Sequence, residues 1–252
     1  MVIAMSENDK YCQACGNGVV EESERVQDLH CCALCNMVIC SLCGWGKNLK
    51  YCHKCIFKGK EKEMNLEIKY YARDKVASFR KAKDQFGGFS NMAGGYPMII
   101  NGHTIHSSEA IYQACKFPHM PDLQKKILEE KSGFTAKLVQ KPYKDNTRKD
   151  WDRIKVDVMD WAIRIKLMQN YDKMIKLFQD SESKEIVEDS SKDAYWGAIP
   201  TENDKTLIGV NMLGQVLMKI REDVLKSKFN VIKPLKFDNF LLYNNLIDEV
   251  TC

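Results

Sequence analysis

The spacing of apolar residues predicts one long helix in the second half of the chain. In "TRKDWDRIKVDVMDWAIRIKLMQN", large apolar side chains recur every three or four residues, which is the period of a helix with one buried face. Shorter helices are expected in "PDLQKKILEEK", in "SGFTAKLVQK" and from Asn211 onward, the last burying Leu213, Leu217 and Ile220. The buried face of the long helix is expected to consist of Trp151, Ile154, Val158, Trp161, Ile165 and Met168.

A short hairpin is expected before these helices. "YPMIINGHTI" places apolar, partly β-branched residues on both sides of Asn101-Gly102, and Asn-Gly is a strong signal for a two-residue hairpin turn. The pattern therefore predicts a mainly α domain with a small β component.

The stretch "SSEAIYQACKF", from Ser107 to Phe117, combines an apolar helix pattern with three polar groups. With a serine cap at its start, the helix would carry Glu109, Gln113 and Lys116 at spacings of four and three on one face. These groups form either a solvated helix face or a site that holds an acid, an amide and an amine in line.

Charge and composition exclude several classes of protein. The net charge is +4 over 252 residues and the basic residues are dispersed, so no basic tract for nucleic acid is predicted. The first residues, "MVIAMSENDK", lack the pattern of a signal peptide, and no stretch approaches about 20 apolar residues. We expect a cytoplasmic protein without a membrane span.

Nine of the eleven cysteines fall between Cys12 and Cys55, and this density points to metal in a chain without a secretion signal. Four C-x-x-C pairs can close two tetrahedral, structural zinc sites with no open position. The segment resembles FYVE-type treble-clef fingers, which implies interleaved sites. The expected ligands are Cys12, Cys15, Cys40 and Cys43 for one zinc, and Cys32, Cys35, Cys52 and Cys55 for the other.

The changes in composition suggest four parts. Residues 1–58 form the zinc-stapled module, and 59–77 form a charged bridge. Residues 78–225 have the composition of a domain with a core, and 226–252 are a C-terminal extension. The zinc module alone would serve protein interaction or substrate positioning.

Five motifs from about Phe79 to Glu222 resemble the NADAR/YbiA-like family in order and spacing. They are "FGGFSNMA", "SSEAIYQACKF", "RKDWDRIKVDVMDWAIRIKL", "IVEDSSKDAYWG" and "IGVNMLGQVLMKIRE". The resemblance implies a mainly α-helical NADAR/YbiA-like fold and an N-glycosidase that hydrolyses the bond between ribose C1 and a base nitrogen. The implied substrates are ribosylamino-pyrimidine phosphate intermediates of riboflavin synthesis or ADP-ribosylated guanine.

The chemistry and the resemblance together select the candidate site residues. Glu109 could stabilise an oxocarbenium-like state, Lys116 could form a Schiff base with an opened ribose, and Asp193 is a second acid. No catalytic cofactor is expected. The candidate substrate-binding residues are Phe89, Ser90, Asn91, Gln113, Trp196, Gly197, Gly209, Asn211 and Arg221.

Several of these residues have structural alternatives. Trp196 could belong to the core, Asn211 could cap the last helix and Arg221 could form a buried pair. Trp151 and Trp161 are assigned to the core by their spacing. For the whole chain, the alternative is a zinc-finger protein whose inactive NADAR domain recognises ribosylated ligands. The expected partners are a ribosylated nucleotide-like molecule or ADP-ribosylated nucleic acid, with a protein partner for the finger.

Overall fold

The computed structural model describes residues 67–202 and 204–251 in full, and of the preceding segment the backbone of 29–31, 38–40, 44–45 and 51–52. The chain divides into two compact units, Met1–Lys69 and Tyr70–Cys252. The division falls within the charged bridge expected at 59–77.

In the first unit, the described backbone forms two short antiparallel pairs. Strand β1 (Leu29–Cys31) pairs with β2 (Val38–Cys40), and β3 (Gly44–Trp45) pairs with β4 (Tyr51–Cys52). The side chains of all eight predicted zinc ligands lie outside the described residues, so the two zinc sites stay a prediction.

The second unit is built around α-helices, as the apolar spacing predicts. The five helices expected from sequence are all present, and the described residues contain one further α-helix, Tyr171–Asp180. None of the helices in the described part of the chain has the length and hydropathy of a membrane span. The helices are α1 (Ser108–Ala114), α2 (Pro121–Leu128), α3 (Gly133–Gln140), α4 (Trp151–Gln169), α5 (Tyr171–Asp180) and α6 (Met212–Lys226).

The strands of the second unit are short and form small separate sheets. Strands β10 (Ile199–Pro200), β11 (Thr206–Gly209) and β5 (Lys69–Ala72) form one sheet, with β11 in the centre, and β6 (Ala77–Phe79) runs parallel to β9 (Ile186–Glu188). The others pair as β7 (Met98–Ile100) with β8 (His103–Ile105), β12 (Val231–Ile232) with β15 (Val250–Thr251) and β13 (Leu241–Leu242) with β14 (Asn245–Leu246).

Helix α4 forms the centre of the core. It packs against α1, α5 and α6, and all six residues of its predicted apolar face are buried. Trp161 is 2% exposed, and its indole Nε1–H donates to the carbonyl of Lys233 at 3.1 Å. The assignment of Trp161 to the core is therefore confirmed.

The Asn101-Gly102 hairpin is also confirmed. Strands β7 and β8 pair with Ile100 opposite His103, and the two turn residues have φ angles of 49° and 75°. Two successive positive φ angles define the turn that matches the twist of a tight hairpin.

The C-terminal segment beyond 225 packs on the same unit. Gln124 on α2 donates to the carbonyl of Leu241 and accepts from the backbone N–H of Tyr243. Arg148 donates to the carbonyls of Asp238 and Asn239. These half-buried and exposed polar contacts make residues 226–251 part of the folded unit.

Candidate active site

Helix α1 is a buried helix, not a solvated face. Ser107 precedes it with extended backbone, and its hydroxyl oxygen accepts from the N–H of Ala110, which confirms the predicted cap. Every residue from Ser108 to Ala114 is buried. Its polar side chains therefore lie inside the protein, where they require partners.

Glu109 forms the acidic end of this stripe. Its side chain is buried, and its Oε1 accepts from Gln113 Nε2 at 2.6 Å. Burial raises the pKa of Glu109, against the opposing effects of the Gln113 hydrogen bond, Lys137 and Lys116. The Oε1 atom of Gln113 is buried and has no hydrogen-bond partner among the described residues. This atom is an acceptor available to a bound ligand.

Lys116 lies just beyond the C-terminal end of α1. Its Nζ is 5.3 Å from the ring centre of Tyr112 and 5.5 Å from that of Trp151. Burial lowers the pKa of Lys116 to about 8, although Glu109 acts in the opposite direction. A larger fraction of this amine is therefore neutral at physiological pH than in an ordinary lysine. The predicted acid, amide and amine do lie together.

Asp193 lies in the loop before Trp196 and is itself exposed. Its Oδ1 accepts from the backbone N–H groups of Tyr195 and Trp196 at 3.0 and 2.9 Å. One carboxylate oxygen thus fixes the loop. Its negative charge also raises the pKa values of Glu109 and Glu188, so Asp193 acts electrostatically on both.

Glu188 is an acid of the site that the sequence analysis did not select. It ends β9 and is half-buried. Burial, together with the negative charges of Asp193 and Glu109, raises its pKa to about 7. A carboxyl group at the end of a short apolar strand, just before a predicted site loop, is the signal that could have identified it.

Lys155 is the second residue that sequence reasoning missed. It is 4% exposed, although it lies on the long helix expected to supply core residues. Its Nζ donates to Asp152 Oδ1 at 2.9 Å and lies 5.0 Å from the ring centre of Tyr195. Burial lowers the pKa of Lys155, and Asp152 opposes this. Lys155 also contributes positive charge near Lys116.

Aromatic rings form one wall of the site. Tyr112 lies edge-on to Trp151 at 4.9 Å and to Trp196 at 5.6 Å between ring centres. Trp151 is buried as predicted for a core residue, but its contact with Lys116 also gives it a place in the site. Trp196 is half-buried, so its ring can contribute a stacking surface.

Asn211 is part of the scaffold, which corrects both sequence interpretations. It is fully buried with φ 54°, and it makes no side-chain cap to α6. Its Oδ1 accepts from the N–H of Glu188, and its Nδ2 donates to the carbonyl of Ile186. Both amide functions are used, so Asn211 positions β9 and is not available to a substrate.

Arg221 and the two candidate glycines also have structural roles. Arg221 donates to Ser181 Oγ and to the carbonyl of Lys184, which supports its structural alternative. A Cβ on Gly197 would lie 2.5 Å from the carbonyl oxygen of Glu188, and one on Gly209 would lie 2.5 Å from that of Gly197. These glycines allow the site loop to pack closely against β9 and β11.

The turn from Phe89 to Asn91 supports α1 from behind. Phe89 is 1% exposed and packs on Phe178, with 5.0 Å between ring centres. Asn91 Oδ1 accepts from Ser108 Oγ, and its carbonyl accepts from the N–H of Glu109. Ser90 Oγ accepts from the N–H of Met92. The three residues contact the protein in this structure, and their assignment to substrate binding stays a prediction.

The described residues contain no group of three or more His, Cys, Asp or Glu side chains that could hold a metal ion. The groups that the structure does bring together are carboxylates and amines from separate elements. Glu109 and Lys116 come from α1 and its end, Glu188 from β9, Asp193 from the site loop and Lys155 from α4. We call this set the acid–amine cluster.

Comparisons with known proteins agree with this architecture. A family profile described as NADAR domain matches residues 78–225. N-glycosidase YbiA of Shigella sonnei is 33% identical over 165 residues, which cover 64% of this chain and 96% of that protein. A riboflavin biosynthesis protein of Vibrio vulnificus is 31% identical over 178 residues, which cover 67% of this chain and 46% of that protein. The NMR structure of the Escherichia coli protein YbiA matches with a TM-score of 0.50 and 27% identity, covering 68% of this chain and 93% of that one.

Proposed function

The chain belongs to the NADAR domain family, and on that premise we propose that it is an N-glycosidase that hydrolyses the bond between ribose C1 and a base nitrogen. The observation that carries the proposal is the position of the buried Glu109 on α1, where its charge acts both on the half-buried Lys116 just beyond the helix and on Glu188 of β9. The name N-glycosidase borne by relatives at 33% identity supports the same activity.

The carboxyl groups fit the acid–base part of this reaction. Glycoside hydrolysis needs one group that protonates the leaving atom and a negative charge that stabilises the oxocarbenium-like state. Glu188, with its pKa raised to about 7, can hold a proton near neutral pH. In the proposed arrangement Glu188 serves as the acid and Glu109, oriented by Gln113, stabilises the positive charge at C1.

Lys116 adds a covalent route for substrates whose leaving nitrogen is an amine. When the ribose ring opens, C1 forms an imine with that nitrogen, and a neutral lysine amine can replace it. The lysine–C1 imine forms, the base leaves with its amine, and water then hydrolyses the imine to regenerate the lysine. The lowered pKa of Lys116 supplies the neutral amine that this exchange requires.

Both implied substrate classes carry such a nitrogen. The name of the Vibrio relative supports ribosylamino-pyrimidine phosphates of riboflavin synthesis as the first substrates to test. ADP-ribosylated guanine is the second, and a cysteine-rich module at the N-terminus is more useful to an enzyme with a macromolecular target. In either case Trp196 and Tyr112 provide the surface for the base.

Product analysis tests the proposal. The full chain is incubated with each substrate, and the released base and ribosyl product are weighed by mass spectrometry. Sodium borohydride added during turnover should trap a ribosyl adduct on Lys116, while Lys116→Met should give no adduct. Turnover without an adduct would exclude the covalent route. Binding without turnover for both substrates would refute the enzyme and favour the inactive binding domain.

The two structural zinc ions remain a proposal for the first unit. They rest on the four C-x-x-C pairs between Cys12 and Cys55 and on the tetrahedral thiolate coordination that zinc prefers. Because all four positions of each site would be filled by thiolates, these ions would stabilise the module and leave the chemistry to the second unit.

A further inference from the structure

A pocket lies beside β6 and Asp189, the residue that follows Glu188. It has a volume of about 410 Å³, and we call it the Arg73 pocket. Asp189 follows Glu188 and continues the pairing with β6 by donating its N–H to the carbonyl of Phe79. Successive side chains of an extended strand point to opposite faces, so Asp189 faces away from the acid–amine cluster. The lining includes Arg73, Ser78, Arg80, Lys81, Lys83 and Asp189.

The ion pair in this pocket leaves two polar atoms unused. Arg73 Nη1 donates to Asp189 Oδ2, and Arg73 Nη2 donates to Asp204 Oδ1. Arg73 Nε and Asp189 Oδ1 are buried without a hydrogen-bond partner among the described residues. Asp189 is 7% exposed. Buried polar atoms without partners are unfavourable, so the pocket offers one donor and one acceptor to a ligand.

The lining of the pocket carries more positive than negative charge, although Asp204 also pairs with Arg73 from outside the lining. Arg73, Arg80, Lys81 and Lys83 line the pocket with only two acids, Asp84 and Asp189. Asp84 is already engaged, since its Oδ2 accepts from the backbone N–H groups of Arg80 and Lys81. This bond fixes the turn that carries the basic side chains. A bound group should therefore be an anion.

The combination of several cations with one buried carboxylate acceptor favours anions that carry a proton over fully ionised anions. Oxygen atoms of an anion can accept from the basic groups, but only an anion that carries a proton can donate to Asp189 Oδ1. Phosphate and phosphate monoesters carry such a proton in their singly protonated form, whereas sulfate has none near neutral pH. A fully ionised anion would meet the carboxylate with two negative charges in contact.

We propose that the Arg73 pocket binds a protonated phosphate group, from inorganic phosphate or from a phosphate monoester. The pocket is separate from the acid–amine cluster, and phosphate binding in it does not depend on the proposed N-glycosidase activity. It would stabilise the segment that follows Glu188, because the phosphate hydrogen bonds to Asp189.

Calorimetric titration of the full chain measures the selectivity. Inorganic phosphate, ribose 5-phosphate and sulfate are titrated at equal ionic strength and at pH 6 and 8. Phosphate should bind at least about tenfold more tightly than sulfate, since a hydrogen bond to a charged group is lost with sulfate. Equal affinity for phosphate and sulfate would overturn the proposal.

The pH dependence of binding distinguishes inorganic phosphate from a phosphate monoester. A monoester loses its last proton with a pKa of about 6, whereas inorganic phosphate keeps one proton at pH 8. Ribose 5-phosphate should therefore bind more weakly at pH 8 than at pH 6, and inorganic phosphate should bind at both. Monoester binding that strengthens toward pH 8 would contradict donation to Asp189.

Amino-acid substitutions test whether phosphate binds in the Arg73 pocket. Lys81→Glu with Lys83→Glu should weaken phosphate binding at least about tenfold, because attraction becomes repulsion. Asp189→Asn should reduce the preference for phosphate over sulfate. The matched control, Lys125→Glu with Lys126→Glu on α2, makes the same change in net charge at exposed positions and should keep phosphate binding.

Lys116→Met distinguishes this pocket from the cluster. If phosphate binds in the Arg73 pocket, the Lys116 change leaves its affinity unaltered. Loss of phosphate binding with Lys116→Met, or an equal loss with the α2 control, would overturn the proposal. Failure of the proposed glycosidase activity would leave these titrations unchanged.

Discussion

Replacing Glu188 by glutamine should make the protein more stable and less active at the same time. Burial and the charges of Asp193 and Glu109 raise the pKa of Glu188 from 4.5 to about 7. A carboxyl whose pKa rises on folding supports the fold while it is protonated and loses this contribution as pH increases through the folded pKa. The loss for Glu188 should therefore occur between about pH 4.5 and 7.

The size of this effect follows from the pKa change. At 1.36 kcal/mol for each pKa unit, the rise sets an upper bound of roughly 3 kcal/mol. Because Glu188 is half-buried, solvent screening reduces the expected gain to about 1–2 kcal/mol. Glu188→Gln should match the wild type near pH 4 and exceed it by this amount at pH 8. Urea denaturation followed by tryptophan fluorescence measures the difference.

The same substitution removes a proton donor from the proposed reaction. Turnover should fall by about 10²–10⁴-fold, the usual contribution of a positioned acid or base. Glu185→Gln is the control, because Glu185 precedes β9 and is exposed. This substitution should change neither the free energy of unfolding nor the turnover. A stability difference that does not vary with pH, or normal turnover in Glu188→Gln, would refute the reasoning.

Two further substitutions and two measurements on the unaltered protein test other parts of the proposal. Glu109→Gln keeps an acceptor for Gln113 and should lower turnover by about 10²–10⁴-fold in a folded protein, measured as released base; unchanged turnover would remove Glu109 from the mechanism. If the covalent route operates with Glu188 as the acid, the pH profile of kcat/KM should be bell-shaped, because the neutral amine of Lys116 (pKa about 8) and the protonated Glu188 (pKa about 7) are needed together; a rate that is flat from pH 6 to 9 would contradict it. Asn211→Ala should cost about 2–4 kcal/mol in urea denaturation because two buried backbone groups lose their partners, and a cost near zero would show that β9 is held by other contacts. Elemental analysis of the purified full chain should find two zinc ions, and one or none would contradict the interleaved sites.

The sequence predicted the helices because each carries a local signal. The apolar residues of α4 recur at the helical period, Ser107 caps α1, and Asn101-Gly102 forms the hairpin turn. Each signal depends on residues close together in the chain, where backbone geometry and side-chain spacing are directly linked. The stripe of Glu109, Gln113 and Lys116 was found for the same reason.

The remaining site could not be predicted because it depends on contacts between distant segments. The parallel pairing of β6 with β9 joins residues more than 100 positions apart, and no local pattern specifies that pairing. Glu188 lies on β9, and the negative charge of Glu109 on α1, far from it in the chain, raises its pKa. Asn211 has a helix-capping position in the sequence, but the structure uses its amide to hold β9.

Lys166 shows how buried polar bonds connect the core helix α4 to the turn that contacts α1. It lies on the buried side of α4, where an apolar residue would be expected, and its Nζ donates to the carbonyls of Gly88 and Ser90 at 2.6 and 2.9 Å. Ser90 precedes Asn91, whose carbonyl accepts from the N–H of Glu109. Burial lowers the pKa of Lys166 to about 7, which weakens the ammonium form, while two carbonyl acceptors favour it. The amine thus links the core helix to the turn behind Glu109 through two short bonds. A methionine at position 166 would fill the same space but leave both carbonyls without this donor, so the turn, and with it the position of Glu109, would lose a direct connection to α4.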